Sequence, residues 1–341
     1  MPKHEVFMRE AIELSKLGYP FYAHVGCVIV RDDEIVGRGF HDYTGGPHAE
    51  VVALRDAGEQ ARGATAYVTM EPCNHYGKTP PCTDALLEYG IKRVVMAVHD
   101  PNPKAAGGIG KLVQNGVEVI DGVCTQEAAE ANAQFLFAFK HGRPMVTVKA
   151  GMTLDGKIAL PSGESQWITN EASRKDAMEL RAKIGSVLVG RLTAEVDRAR
   201  LNVRDIEVMH QPLRVVVDPR KVLDPSLPIF DDSAPTLHID EPMSPSEILG
   251  KIQDQGRIGV LIEGGPTTIA HFMRAGLVDQ VVLYVAPKVF GDGKSWLGTL
   301  ELSNLADSPS FELTSSQIIG NDIKLFYRSG NLQKFIASYT V

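Results

Sequence analysis

Along the first 140 positions, apolar residues follow two alternating periods. Short β-branched and apolar runs at 26–30, 35–40, 64–70, 91–98 and 117–121 read as strands, the first two joined by Arg31-Asp32-Asp33-Glu34. Between them, 47–57, 83–89, 109–115 and 126–140 carry helix spacing, with Pro47 suited to a first turn and Gly90 to a helix end. Strands alternating with helices predict an α/β layer structure with a largely buried sheet. The pattern breaks at Lys140-His141-Gly142-Arg143-Pro144, so the domain boundary is placed there, giving domains 1–143 and 144–341. The second half restarts with strands expected at 145–150, 186–190, 213–218, 236–239, 258–263, 280–287 and 323–327. A helix is expected at 170–184, and another after Gly264-Gly265-Pro266-Thr267, ending at Ala275. Residues 224–245 are rich in proline and aspartate, and no internal repeat stands out.

Composition sharpens this picture. At 341 residues the chain exceeds one ordinary domain of about 100–200. A net charge of −7 supplies no basic surplus for a phosphate polymer, which argues against nucleic acid as partner. Four cysteines are too few for a disulfide framework and suit a reducing compartment, where thiols can bind metal. Met1-Pro2-Lys3-His4-Glu5 has no long apolar run behind it, and no stretch approaches about 18 apolar residues. A cytoplasmic two-domain protein without a membrane span is expected.

The sharpest chemical signal is Pro47-His48-Ala49-Glu50, followed by Glu71-Pro72-Cys73 and then Cys82. One imidazole and two thiolates are natural zinc ligands, and three protein ligands leave a fourth position for water, as in catalytic sites. Zinc lowers the pKa of such a water to about 7. At about 100° per residue, positions two apart inside a helix point nearly opposite ways. The site is therefore expected over the helix end, where Glu50 can shuttle protons between water and leaving ammonia. Zinc base deaminases carry His-x-Glu with a later Pro-Cys-x-x-Cys. This chain departs in its second cysteine, which follows an eight-residue insert, Asn74 to Pro81. Cys27, inside a strand, and Cys124, after one, read as core residues.

The insert with its cysteine, Asn74-His75-Tyr76-Gly77-Lys78-Thr79-Pro80-Pro81-Cys82, and the later Asp100-Pro101-Asn102-Pro103 strongly resemble the bifunctional deaminase/reductase family of riboflavin biosynthesis. The resemblance extends over nearly the whole chain. It implies an N-terminal cytidine-deaminase-like α/β/α domain followed by a C-terminal dihydrofolate-reductase-like α/β domain. It implies that His48, Cys73 and Cys82 hold zinc and that Glu50 is the catalytic proton shuttle. The implied substrate is a diaminopyrimidinone carrying ribose 5-phosphate, with His75, Lys78 and Thr79 as donors to that phosphate. Tyr22-Ala23 stand where the family usually has Asn-Pro.

In the second half no Gly-x-Gly-x-x-Gly follows a strand; Val260 to Thr267 instead run through Glu263-Gly264-Gly265 into a helix, where free N–H groups attract phosphate. Lys149 to Lys157, Ser162 to Thr169, Gly190-Arg191-Leu192-Thr193 and Asp197 to Arg204 also match the family's reductase. That resemblance implies NADPH as cofactor, touched by Gly151, Trp167, Thr193, Asp197, Pro219, Gly265, Pro266, Thr267, Thr268, Ile269, Ala270 and His271. It implies substrate contacts from Ser165, Arg181, Leu201, Arg204 and Glu263. Arg181 and Arg204 offer fork-shaped donors to a phosphate monoester. Lys149 and Asp155 are candidates for the proton donor of the reductive step. Arg191 and Arg198-Ala199 depart from the family's usual residues.

The expected activity is zinc-dependent hydrolytic deamination of the diaminopyrimidinone, then NADPH-dependent reduction of ribosyl to ribityl, in a homo-oligomer. The competing reading, motivated by Tyr22-Ala23, is a reductase whose deaminase domain has an altered or lost substrate. A base editor of nucleic acid would need a basic surface the chain lacks, and a structural metal module would leave Glu50 without a task.

Overall fold

The computed structural model describes residues 3–18, 22–43, 45–105 and 107–339. Met1 and Pro2, which begin the N-terminal segment read above, lie outside them. The chain divides into two compact units, Met1–Gly142 with Lys334–Val341, and Arg143–Gln333.

The first unit runs α1 (Lys3–Ser15), β1 (Gly26–Arg31), β2 (Glu34–Phe40), α2 (Ala49–Ala57), β3 (Thr65–Met70), α3 (Cys82–Glu88), β4 (Arg93–Val98), α4 (Gly108–Gln114), β5 (Glu118–Ile120), α5 (Thr125–Ala131) and α6 (Ala133–His141). Its sheet has the order β2-β1-β3-β4-β5. β1 is antiparallel to β2 and β3, and β3, β4 and β5 are parallel. Asp32 and Asp33 turn the first hairpin with φ of 50° and 72°, a left-handed pair that matches strand twist. Two glycines set the layers. A Cβ on Gly26 would lie 1.9 Å from Ala11 O of α1, and one on Gly39 would lie 2.3 Å from Ala49 O of α2. Gly39 pairs with Cys27, the neighbour of Gly26, so the two helices cover opposite faces of the sheet.

Two departures from the expected elements have physical causes. α1 was not anticipated, although its buried Phe7, Met8, Ala11, Ile12 and Ser15 recur at helical spacing. The single helix expected at 126–140 is two helices, α5 and α6, broken at Asn132 with φ −114° and ψ 19°. The buried Asn132 side chain accepts the His24 N–H at 2.9 Å, a tertiary bond that fixes the break.

The second unit contains β6 (Met145–Thr153), β7 (Lys157–Ala159), α7 (Glu171–Ile184), β8 (Ser186–Gly190), α8 (Arg191–Val196), β9 (Leu213–Val217), β10 (Thr236–Ile239), α9 (Pro245–Asp254), β11 (Gly259–Ile262), α10 (Pro266–Arg274), β12 (Gln280–Ala286), β13 (Lys294–Ser295), β14 (Phe311–Ile319) and β15 (Asp322–Ser329). A final helix, α11, spans Gly330–Ala337. The large sheet has the order β10-β9-β8-β11-β6-β12-β15-β14. It is parallel from β10 to β12 and antiparallel beyond. Val146, Val148, Leu188, Val215, Val260, Ile262 and Phe272 share one buried cluster. In such sheets ligands collect in the crevice beyond the carboxyl ends of the strands. Gly190, Asp218 and Glu263 lie at those ends of β8, β9 and β11.

The proline- and aspartate-rich stretch after β9 is organised by Arg214, whose side chain is fully buried. Its guanidinium donates to Asp231 Oδ1 at 2.8 Å, Thr236 Oγ1 at 2.9 Å, and the carbonyls of Pro228 and Ala234 at 3.2 and 2.5 Å. Replacing it by methionine takes the donor away from all four acceptors at once, two of them backbone carbonyls. Arg214→Met is expected to cost this unit about 3 kcal/mol. Both tryptophans of the chain, Trp167 and Trp296, lie in Arg143–Gln333, so their fluorescence during denaturant unfolding reports this unit. An unchanged midpoint would refute the role given to Arg214.

Candidate active sites

The first site gathers three chain segments. His48 precedes α2 with φ −72° and ψ 160°, an extended backbone, so it escapes the angular spacing of the helix and can share a site with Glu50. Cys73 follows β3 by three residues and Cys82 opens α3. His48 Nδ1 lies 3.2 Å from Cys82 Sγ and 3.5 Å from Cys73 Sγ, and the three donor atoms lie within 4.8 Å of one another. The backbone N–H of Cys82 donates to Cys73 Sγ at 3.4 Å. One borderline nitrogen and two soft sulfurs fit zinc.

The electrostatics agree with that chemistry. Cys73 is held down to about 4, first by its hydrogen bond with Cys82 and further by His48, against the effect of burial. Glu50, 3% exposed, is pushed up to about 7, chiefly by burial and next by the Cys73 charge. Glu71, also buried, accepts the N–H groups of Gly107 at 3.1 Å and Ile109 at 3.4 Å, tying the end of β3 to the start of α4.

A cavity of about 290 Å³ opens onto His48, Glu50, Glu71 and Cys73, lined also by Tyr22, His41, His75, Lys78, Thr79, Asp100, Asn102, Phe135 and Phe139. His41 stands edge-on to His48 at 5.2 Å, with Nδ1 3.2 Å from Pro47 O; burial first pulls its pKa down. Burial likewise pushes the Asp100 carboxyl up to about 6. Sequence reasoning did not place His41, Asp100, Phe135 or Phe139 at the site. Only Asp100 carried a signal, in Asp100-Pro101-Asn102-Pro103; the two phenylalanines fall within the helix expected at 126–140. His75 and Lys78 line the cavity, and Thr79 Oγ1 sits 3.3 Å from His48 Nε2. Cys27 is fully buried in β1, as expected of a core residue. Cys124 is only half-buried and precedes α5 with φ 56°, because the chain turns there rather than packing.

In the second unit the parallel register puts Val148, Ile262 and Leu188 side by side, so Lys149 and Glu263 emerge together. Lys149 Nζ lies 3.3 Å from Glu263 Oε2. Arg181 grips the same carboxylate twice, at 2.6 Å through Nε and 3.1 Å through Nη2, and donates Nη1 to Asn202 O at 3.0 Å. Sequence reasoning offered Arg181 as a phosphate fork; here its fork is filled by Glu263. Burial raises the Glu263 carboxyl, but the charges of Arg181 and Lys149 outweigh it and hold the group at about 2. Arg204 is exposed and Ser165 half-exposed, while Leu201 is buried with φ 54°. Asp155 is engaged in holding a loop, accepting from Thr153 Oγ1 at 2.6 Å and Gly291 N–H at 2.8 Å.

Of the expected cofactor residues, Trp167 is 60% exposed, with the Arg174 guanidinium 4.5 Å over its ring and Lys288 Nζ 2.7 Å from its carbonyl. Thr193 Oγ1 accepts the Gly265 N–H at 3.1 Å. Pro266 has no N–H, so the first turn of α10 presents fewer donors than its glycine pattern suggested. Thr268 fills the space beside Gly190 and Gly264, where a Cβ would come within 2.5 and 2.9 Å of it. Ile269 and Ala270 are buried, and His271 and Pro219 are exposed. Gly151 lies in β6, and Asp197, exposed, caps the C-terminal end of α8. An exposed indole, a tight glycine crossing and the Oδ1 of Asn202, buried without a partner among the described residues, fit a dinucleotide and a polar substrate.

Comparison with known proteins follows this division. The cytidine and deoxycytidylate deaminase zinc-binding region matches residues 1–98, and the RibD C-terminal domain matches residues 144–325. Riboflavin biosynthesis protein RibD of Aquifex aeolicus is 39% identical, covering 94% of this chain and 97% of its own. That of Escherichia coli is also 39% identical, covering 94% and 98%. Among solved structures, RibD of Acinetobacter baumannii superposes with a TM-score of 0.89 at 39% identity, covering 96% of this chain and 99% of its own. A Thermotoga maritima deaminase/reductase does so with 0.89 at 34% identity, with the same coverage. A zinc-type deaminase unit followed by a reductase unit of the NADPH-using type makes the chain a bifunctional deaminase and reductase. Identity near 40% over almost the full length of both partners narrows the class. The chain belongs to the RibD family of riboflavin biosynthesis.

The ion cluster of the second unit has a pH signature. Because Glu263 is held below its ordinary 4.5, its contribution to stability is complete above pH 4.5 and is lost as pH falls toward 2. Glu263→Gln is expected to flatten the acid limb of tryptophan-monitored stability over that window. An acid limb of unchanged slope would show that the carboxylate is not held by Arg181 and Lys149.

Proposed function

We propose that the chain deaminates a diaminopyrimidinone bearing ribose 5-phosphate and then reduces the ribosyl group of the product to ribityl. The Thermotoga maritima relative is described as a diaminohydroxyphosphoribosylaminopyrimidine deaminase/5-amino-6-(5-phosphoribosylamino)uracil reductase. The observation that carries the reading is the cluster of His48, Cys73 and Cys82, two members of which line one cavity together with Glu50. His48, Cys73 and Cys82 would hold the metal. Zinc bound there acidifies water and so supplies a nucleophile at neutral pH. Glu50, buried in the same cavity, takes the proton released by the nucleophile and returns it to the departing nitrogen. Phe135, Phe139 and Tyr22 offer flat apolar faces to a heterocycle. His75, whose Nδ1 is buried without a partner among the described residues, and Lys78 are suited to the phosphorylated arm.

In the reductase, NADPH supplies the hydride. Glu263 accepts from sugar hydroxyls at the end of β11, and Lys149, 3.3 Å from it, is better placed than Asp155 to deliver a proton. With Arg181 committed to Glu263, the exposed Arg204 is the fork offered to the phosphate. The deaminase activity is assigned to residues 1–143 and the reductase to 144–341. The reading of a deaminase with lost chemistry is not favoured, since the His48, Glu50, Cys73 and Cys82 set is complete and Tyr22 itself lines the cavity.

A small phosphorylated pyrimidine is thus the partner, rather than nucleic acid. No helix of the described residues is long and apolar enough to cross a membrane. Free thiols beside a metal site suit a reducing, cytoplasmic setting. β14 is an edge strand exposed along most of its length, with Leu313 and Ile318 54% and 77% exposed, a surface suited to a second copy of the chain.

Glu50→Gln should lower ammonia release at least about 100-fold, while NADPH oxidation with the deaminated substrate stays intact. Equal loss of both in a folded variant would overturn the assignment of two separate sites. Sedimentation equilibrium should find a particle larger than one chain, reduced in size by Leu313→Lys with Ile318→Lys; a monomer at all concentrations would refute self-association.

A further inference from the structure

We infer that Thr79 is a positioning residue of the metal site: its hydroxyl fixes the ring and tautomer of His48. The inference rests on the zinc reading above. His48 turns Nδ1 toward the two sulfurs, at 3.2 and 3.5 Å, and turns Nε2 toward Thr79 Oγ1 at 3.3 Å. A neutral imidazole carries one N–H. For Nδ1 to present a lone pair to a metal, the proton must sit on Nε2, and an acceptor there selects that tautomer and stops the ring from rotating. Thr79 supplies the acceptor.

The backbone around Thr79 is built to hold that hydroxyl still. Thr79 precedes Pro80, which confines it to extended conformations. Pro80 and Pro81 then lead directly into Cys82, Pro81 with φ −59° and ψ 136°. The hydroxyl is thereby joined by two rigid residues to one of the metal-binding sulfurs. On the other side the Gly77 N–H closes a turn onto Thr79 O at 3.2 Å. This gives the eight-residue insert between the cysteines a task. A two-residue spacer could join the two sulfurs but has no length to return over the far edge of the imidazole; the longer loop does. A hydroxyl committed to Nε2 acts on the metal ligand, so Thr79 serves the site differently from the phosphate contact expected of it.

The test is zinc affinity of the full chain, measured by competition with a chromogenic chelator, for wild type, Thr79→Val and Thr79→Ser. Valine keeps the shape and removes the acceptor; it should weaken zinc binding roughly 10–100-fold. Serine keeps the hydroxyl and should stay within about 3-fold of wild type. At saturating zinc, KM for the diaminopyrimidinone should be unchanged in Thr79→Val, and NADPH oxidation on deaminated substrate should report an intact chain. Wild-type zinc affinity in Thr79→Val, or a raised KM with unaltered zinc binding, would overturn the inference and return Thr79 to the substrate. A wild-type chain that binds no zinc would overturn the zinc reading itself and this inference with it.

Discussion

Everything at the first site depends on one backbone conformation. A histidine and a glutamate two positions apart cannot share a site inside a helix, yet they can when the histidine stands just outside it. His48, extended before α2, meets that condition, while Glu50 is held in the first turn and in the buried layer. The sheet enforces the arrangement: Gly37 and Gly39 let α2 lie almost against β2, and that close seating fixes where the helix begins. Cys73 and Cys82 reach the same point from the end of β3 and the start of α3. The metal site is thus a consequence of how three element ends meet, and the loops between them are free to do other work.

The second unit solves a different problem, that of keeping a carboxylate in a dry strand end. Glu263 follows a wholly buried strand, and an isolated charge there would be expensive. Register supplies Lys149 from the adjacent strand, and α7 supplies Arg181 from above. The result is one negative charge held by two positive ones, a cluster with a net positive charge where a phosphorylated sugar is expected to lie.

The features legible in the sequence were those that repeat or cluster. Strands at 186–190 and 236–239 match β8 and β10 residue for residue, because short apolar runs between polar turns have few other ways to fold. His48, Cys73 and Cys82 were legible because metal chemistry restricts residue type. What stayed hidden was pairing across space. That Arg181 would be satisfied by Glu263, 82 residues away, depends on register and not on any local pattern. The same holds for Asn132, whose bond to the His24 backbone breaks a helix that local spacing makes continuous. Arg191 and Arg198, read from the sequence as departures from the family pattern, are locally accommodated: Arg191 pairs with Glu195 at 2.6 Å, and Arg198 adopts φ 44° beyond α8.

The Arg181–Glu263 pair also constrains how this protein can change over time. Loss of Glu263 strands Arg181 and Lys149 without their shared carboxylate, and loss of Arg181 leaves Glu263 with Lys149 alone; the harm does not depend on what the substrate is. With both lost together only Lys149 of the cluster is left without its carboxylate, so the cost of the double change is less than the sum of the two. Lineages can therefore cross from this pair to another only by near-simultaneous substitution. Two positions far apart in the chain behave as a single heritable character, held in place by electrostatics even where selection on catalysis is relaxed.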